Sequence, residues 1–215
     1  MKHILIILSL FLFSFTVISC SSKSDGGSST TSTTTDDNTT TSSSDNSSSS
    51  VSVLFVGVGA SGNIVRSNDN GASWDNATSP TGNDFRGVGF GNNTFVAVGN
   101  NGNIVRSTDN GSSFDNATSP TAIHLNGVTF GNNTFVGVDV SGNIVRSTDN
   151  GSSWDNATNS NTTSLLRVTF GNNTFVAVGL LGNIVRSTDN SSSWDNATSP
   201  TSNHLYGVTG VTFSE

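Results

Sequence analysis

From Val51 onward the apolar positions fall into short runs rich in β-branched and aromatic residues, separated by Gly, Asn, Asp and Ser, and the whole pattern recurs every forty residues. Gly62-Asn63-Ile64-Val65-Arg66-Ser67 returns at Gly102, Gly142 and Gly182. Residues 102–118 and 142–158 differ only at Phe114 against Trp154. Within one repeat four strands can be read. They are Gly127–Phe130, Thr134–Val138, Asn143–Ser147 and Ser152–Asp155. Asn132-Asn133 and Asn150-Gly151 sit between strand-like runs, where residues tolerant of positive φ make hairpin turns. The strands show little polar alternation, as expected of sheets covered on both faces. No part of the repeat carries the 3.6-residue period of a helix.

A forty-residue period with four short strands per unit predicts an all-β chain, a β-propeller of about four four-stranded blades. The array starts on a second strand, Phe55-Val56-Gly57-Val58, and closes on a first strand, Tyr206-Gly207-Val208-Thr209. The C-terminal strand is therefore expected to complete the first blade and remove its open edge. Gly-Val-Thr occurs twice in this tail, at 207–209 and 210–212, which leaves two possible registers.

Each repeat carries a segment such as Ser147-Thr148-Asp149-Asn150-Gly151-Ser152-Ser153-Trp154, with copies at Ser67–Trp74, Ser107–Phe114 and Ser187–Trp194. This resembles the Asp-box of BNR propellers, a group that includes sialidases and assembly factors of photosystem II. Ser191 replaces the motif glycine in the last copy and Phe114 replaces tryptophan in the second. The resemblance implies structural roles. Asp69, Asp109, Asp149 and Asp189 would hold their own turns, and Trp74, Phe114, Trp154 and Trp194 would pack between strands. A calcium loop is not expected here, because aligning Gly71 with the loop glycine puts Arg66 and Ala77 at ligand positions.

Composition narrows the chemistry. Only 11% of the residues are charged, and the net charge of −7 leaves no basic stripe for nucleic acid. Glutamate occurs once, as Glu215, and tyrosine once, as Tyr206, so a sialidase-type tyrosine–glutamate couple lacks parts. Arg66, Arg106, Arg146 and Arg186 occupy equivalent positions on the third strand, where ion pairs with Asp are the expected use. No enzyme activity and no cofactor are expected.

The repeats differ mainly in two connections, between strands two and three and leading into strand one. In an up-and-down blade these share one face. That face is the expected binding surface for a protein or glycan, with Asp84, Phe85, Arg86, His124, Asp139, Arg167, Leu180, Leu181, His204 and Tyr206 as its candidate residues. His124 and His204 lie eighty residues apart, which would set them across the axis from each other. A His₂Asp metal site with Asp84 is conceivable chemistry, but solvated loop histidines are the commoner outcome and no metal is expected.

Residues before the repeats read differently. Lys2 precedes an apolar run, Ile4 to Ile18, that ends Val17-Ile18-Ser19-Cys20. The run resembles the lipobox of bacterial lipoproteins, with residues 1–19 as the signal peptide and Cys20, the only cysteine, as the acylated residue. Ser21 rather than Asp after the cysteine implies the outer membrane. Twenty-one of residues 21–50 are Ser or Thr and none is a large apolar residue, so 20–50 are expected to form a disordered tether. At about 5–6 Å times the square root of its length, such a tether spans roughly 30 Å. The expected partners are thus a membrane, through the anchor, and an unknown protein or glycan. Nucleic acid is excluded.

Overall fold

The computed structural model describes residues 53–211. The proposed signal peptide, Cys20, the tether and Glu215 lie outside them. Four antiparallel sheets follow one another along the chain. The first holds β1 (Phe55–Val58), β2 (Ile64–Ser67) and β3 (Asp75–Asn76); the second holds β4 (Phe85–Gly91), β5 (Thr94–Gly99), β6 (Ile104–Ser107) and β7 (Asp115–Asn116). The third comprises β8 (Leu125–Gly131), β9 (Thr134–Asp139), β10 (Ile144–Ser147) and β11 (Asp155–Asn156). After β12 (Thr158–Asn159), the fourth comprises β13 (Leu165–Gly171), β14 (Thr174–Gly179), β15 (Ile184–Ser187) and β16 (Ser193–Asn196). These are the four blades expected, each an up-and-down meander.

The first strands β4, β8 and β13 pack beside one another and form the inner layer. Small residues allow this approach, since a Cβ on Gly87 would stand 3.1 Å from the Cα of Gly127. Each first strand carries a bulge, at the residue between Phe85 and Gly87, Leu125 and Gly127, or Leu165 and Arg167. Such bulges turn one extra side chain out of the ladder. The second strands β5 and β9 are buried along their whole length, because neighbouring blades cover both faces. That accounts for their unbroken apolar sequence.

The core lies between blades. Phe135 stacks against Phe130 at 4.7 Å and Trp154 at 6.4 Å, and Phe175 repeats this with Phe170 and Trp194. Phe114, Trp154 and Trp194 are buried. Trp74 is the exception. It is half exposed, since no blade precedes it among the described residues.

A second ladder joins the blades at the outer rim. The segment after each fourth strand pairs in parallel with the next Asp-box, as Thr78 with Ser113, Thr118 with Ser153, and β12 with β16. The forty-residue pattern had not pointed to β12, whose two residues carry no strand-like signal.

Closure of the first blade by the C-terminal strand is not shown. The tail follows β13 in the position of an inner strand. Leu205 N–H donates to the Gly179 carbonyl (2.9 Å), as Phe85 N–H donates to Gly59, and Gly210 faces Gly171 as Phe170 faces Gly131. This selects the 207–209 copy of Gly-Val-Thr. The tail does not hydrogen-bond to β1 and no strand is formed there.

Candidate functional site

The four Asp-box turns are built alike. In the third, Ser147 Oγ donates to Asp149 Oδ1 (2.7 Å) and accepts the Gly151 N–H (2.8 Å), while Ser153 N–H closes on Asp149 Oδ1 (3.0 Å). Asp69, Asp109 and Asp189 repeat these bonds with their own serines. Donors aimed at the carboxylate stabilise its charged form. All four carboxyls are lowered from 3.8 to about 2; at Asp69 the leading cause is the Ser73 hydroxyl. Burial pushes Asp149 upward, but the bonds from Ser153 and Ser147 outweigh it. Both oxygens of each carboxylate are engaged inside its own turn. Ser191 shows how the fourth turn tolerates losing glycine. It holds φ at 63° and accepts the Trp194 indole N–H on its Oγ (3.0 Å), where Trp154 uses the Gly151 carbonyl.

The third-strand arginines do not find the expected carboxylates. Arg66 and Arg146 reach the backbone carbonyls of Asn110 and Asn190 in the next blade's Asp-box (3.4 and 3.3 Å). At these two positions a backbone carbonyl forty-four residues on takes the place of the ion pair.

On the variable rim the structure separates the candidates into two groups. Asp84, His124 and His204 perform one task. Asp84 Oδ1 accepts the Ser61 N–H (2.8 Å), His124 Nδ1 that of Asn101 (2.9 Å) and His204 Nδ1 that of Leu181 (3.0 Å). Each caps the loop between strands two and three of the preceding blade. The histidine Nδ1 lone pairs are therefore engaged by backbone. No group of three or more His, Cys, Asp or Glu side chains is placed for a metal among the described residues.

Asp139 and Phe85 do not belong to an exposed face. Asp139 is fully buried and accepts from Ser141 N–H, Asn143 N–H and Asn143 Nδ2 at 2.8, 2.8 and 2.9 Å. It caps its own loop, because Ser164 is too short to act as Asp84 or His124 does. Phe85 is buried in the core between the first two blades, in the place Leu125 and Leu165 take further on. A change from Phe to Leu had read as loop variation, whereas it is the core varying.

The exposed group remains. Arg86 lies at the bulge of β4 and Arg167 directly follows that of β13, both exposed and tied to the buried Asn126 at the bulge of β8 between them. Arg86 Nη1 donates to Asn126 Oδ1 (2.9 Å) and its Nε to Asn100 Oδ1 (2.7 Å), while Arg167 Nη1 donates to the Asn126 carbonyl (3.2 Å). Asn126 Nδ2 in turn donates to the Leu165 carbonyl (2.7 Å). The reading by residue type missed Asn126, whose only signal was its place opposite Arg86 in the repeat. Leu180 is half-buried, and Leu181 is 66% exposed with φ at 56°. Tyr206 is 70% exposed and meets His204 edge to face at 6.0 Å. The rim thus offers two oriented guanidinium groups, an aliphatic tip and a phenol.

No protein-family model matches the chain, and no curated protein matches it. Solved structures do. YCF48 bound to a D1 peptide is 19% identical over 66% of this chain and 50% of its own, with a TM-score of 0.54. YCF48 from Cyanidioschyzon merolae is 21% identical over 72% of this chain and 58% of its own, with a TM-score of 0.53. An ancestral GH74 enzyme is 21% identical over 68% of this chain and 22% of its own, with a TM-score of 0.57. The chain spans about half the length of the YCF48 chains and about a fifth of the GH74 enzyme. These likenesses establish the β-propeller fold.

Proposed function

We propose that this protein is a non-catalytic binding module, held at the bacterial cell envelope by lipid on Cys20, whose variable rim takes a protein segment. The observation that carries the reading is the rim itself. Arg86, Arg167, Leu181 and Tyr206 are exposed where the blades differ, while every Asp-box carboxylate is consumed by its own turn. Aromatic, aliphatic and guanidinium groups around polar loops are the make-up of protein-binding surfaces. A propeller of similar fold, YCF48, is known with a bound D1 peptide, which favours a peptide over a glycan. An envelope assembly factor would use the same rim, and a glycan ligand is the competing occupant.

Capture from envelope extract, run beside a glycan array, tests the proposal. Wild-type protein should retain a protein partner, and Arg86→Ala, Leu181→Ala and Tyr206→Ala should each weaken it about tenfold or more, as expected for residues worth over 1 kcal/mol. Retention of glycans alone, with these variants unaffected, would falsify the protein-binding reading.

A further inference from the structure

Among the described residues the first and the last blade each carry an open edge, and the two edges fit. At the first blade β1 has β2 on one side and, among the described residues, no strand on the other. Phe55 is 43% exposed and Trp74 48%, whereas the equivalent Phe95, Phe135, Phe114 and Trp154 are 7%, 0%, 2% and 4%. At the last blade Thr174 and Val176 are only partly buried, while Thr94, Val96, Thr134 and Val136 are all buried. The tail at 205–211 runs as an inner strand with no outer neighbour, bordering a cleft of about 300 Å³ lined by Gly171, Thr174, Val176 and Val208–Val211.

Several blade-to-blade contacts recur from one interface to the next. A Cβ on Gly111 would stand 2.8 Å from Val56, and one on Gly151 the same from Val96. Asn150 Nδ2 and Asn190 Nδ2 donate to Thr94 and Thr134 hydroxyls, and Thr118 N–H and Thr158 N–H to the Ser152 and Ser192 carbonyls. Advanced by one repeat, the set asks that Val176 meet a glycine, Thr174 and Arg186 an asparagine, and Thr198 a small residue. Gly71, Asn70 and Ala72 on the first blade are those residues, and Gly71 has nothing within 4 Å of its Cβ position.

We infer that a second copy of this chain closes the ring head to tail, giving a two-fold dimer of eight blades in which each tail becomes the inner strand of the other copy's first blade. The register follows from β8 with β9, where Leu125, Gly127, Val128 and Thr129 face Asp139, Val138, Gly137 and Val136. It sets Leu205, Gly207, Val208 and Thr209 against Gly59, Val58, Gly57 and Val56 of the second copy. Among the described residues the tail is not bonded to its own β1. Closure buries Phe55 and Trp74 in the cleft and pairs both open edges, which an exposed strand otherwise offers to aggregation.

Sedimentation equilibrium of the full chain in density-matched detergent reads the stoichiometry. Two chains per particle are expected. One chain, with or without a buried Trp74, or any larger number overturns the inference. Val176→Lys should halve the particle mass with the far-ultraviolet β signature unchanged; a dimeric variant overturns it. A crosslink that does not depend on that variant uses two chains, each Cys20→Ser, one carrying Val56→Cys and the other Thr209→Cys. Facing strand residues lie within disulfide reach. Co-expressed, the pair should give a reducible dimer on a gel, and a chain that stays single overturns the proposal.

Discussion

Leu181 is where residue chemistry and function pull apart. A leucine at φ 56° carries the Cβ–carbonyl crowding that makes the left-handed region costly by roughly 1–2 kcal/mol. Asn101 and Ser61 occupy the equivalent site in other blades. Asn relieves the strain through its short polar side chain, so Leu181→Asn should raise stability by about 1 kcal/mol in chemical denaturation while weakening the proposed partner. The Asp-box carboxyls make a second prediction. Their folded pKa of about 2 lies below the ordinary 3.8, so the unfolded chain binds protons more readily in that interval. Their contribution is complete above pH 4 and is lost as pH falls toward 2. Thermal melts across this window should show a falling midpoint, and Asp149→Asn should flatten the fall while lowering the midpoint at neutral pH. An unchanged slope would mean that the turn bonds do not discriminate between the charged and neutral acid.

At the scale of elements, the repeat made the strands readable because each is bounded by Gly or Asn turns and packed on both faces. It could not separate the roles of varying positions. Asp84, His124 and His204 look unrelated as residue types, yet each supplies one acceptor to one backbone N–H, and a hydrogen bond asks only for a lone pair at the right distance. Phe85 and Leu125 differ because the core between blades differs. Asn126 joins three blades by bonding Arg86, Arg167 and the Leu165 carbonyl from a buried position. Asn126→Leu fills its space but leaves a buried carbonyl unmet, which costs about 1–3 kcal/mol. It should also release Arg86 and so weaken partner capture beyond the loss of stability. By contrast Trp154→Ala opens a cavity between blades and should cost about 3–5 kcal/mol in denaturation, with partner affinity retained in the folded fraction.

At the scale of the molecule, the repeat count and blade order were legible in the sequence, but the closure was not. A strand that matches the missing one in sequence can pair with its own chain or with a copy, and the local pattern is identical for both. No single repeat carries the information that separates the two. The same limit applies to the segment before the repeats, where composition speaks and packing does not. If Cys20 is acylated, more than one acyl chain on that residue gives the two hydrophobic signals that stable anchoring needs. Cys20→Ser removes the only thiol and so the only site for that chemistry. The variant should move from the membrane pellet to the soluble fraction on ultracentrifugation, with its repeat domain melting at the wild-type temperature. Continued sedimentation with membranes after a carbonate wash would assign the anchoring to the apolar stretch at Ile4–Ile18 instead, as a retained segment rather than a cleaved one.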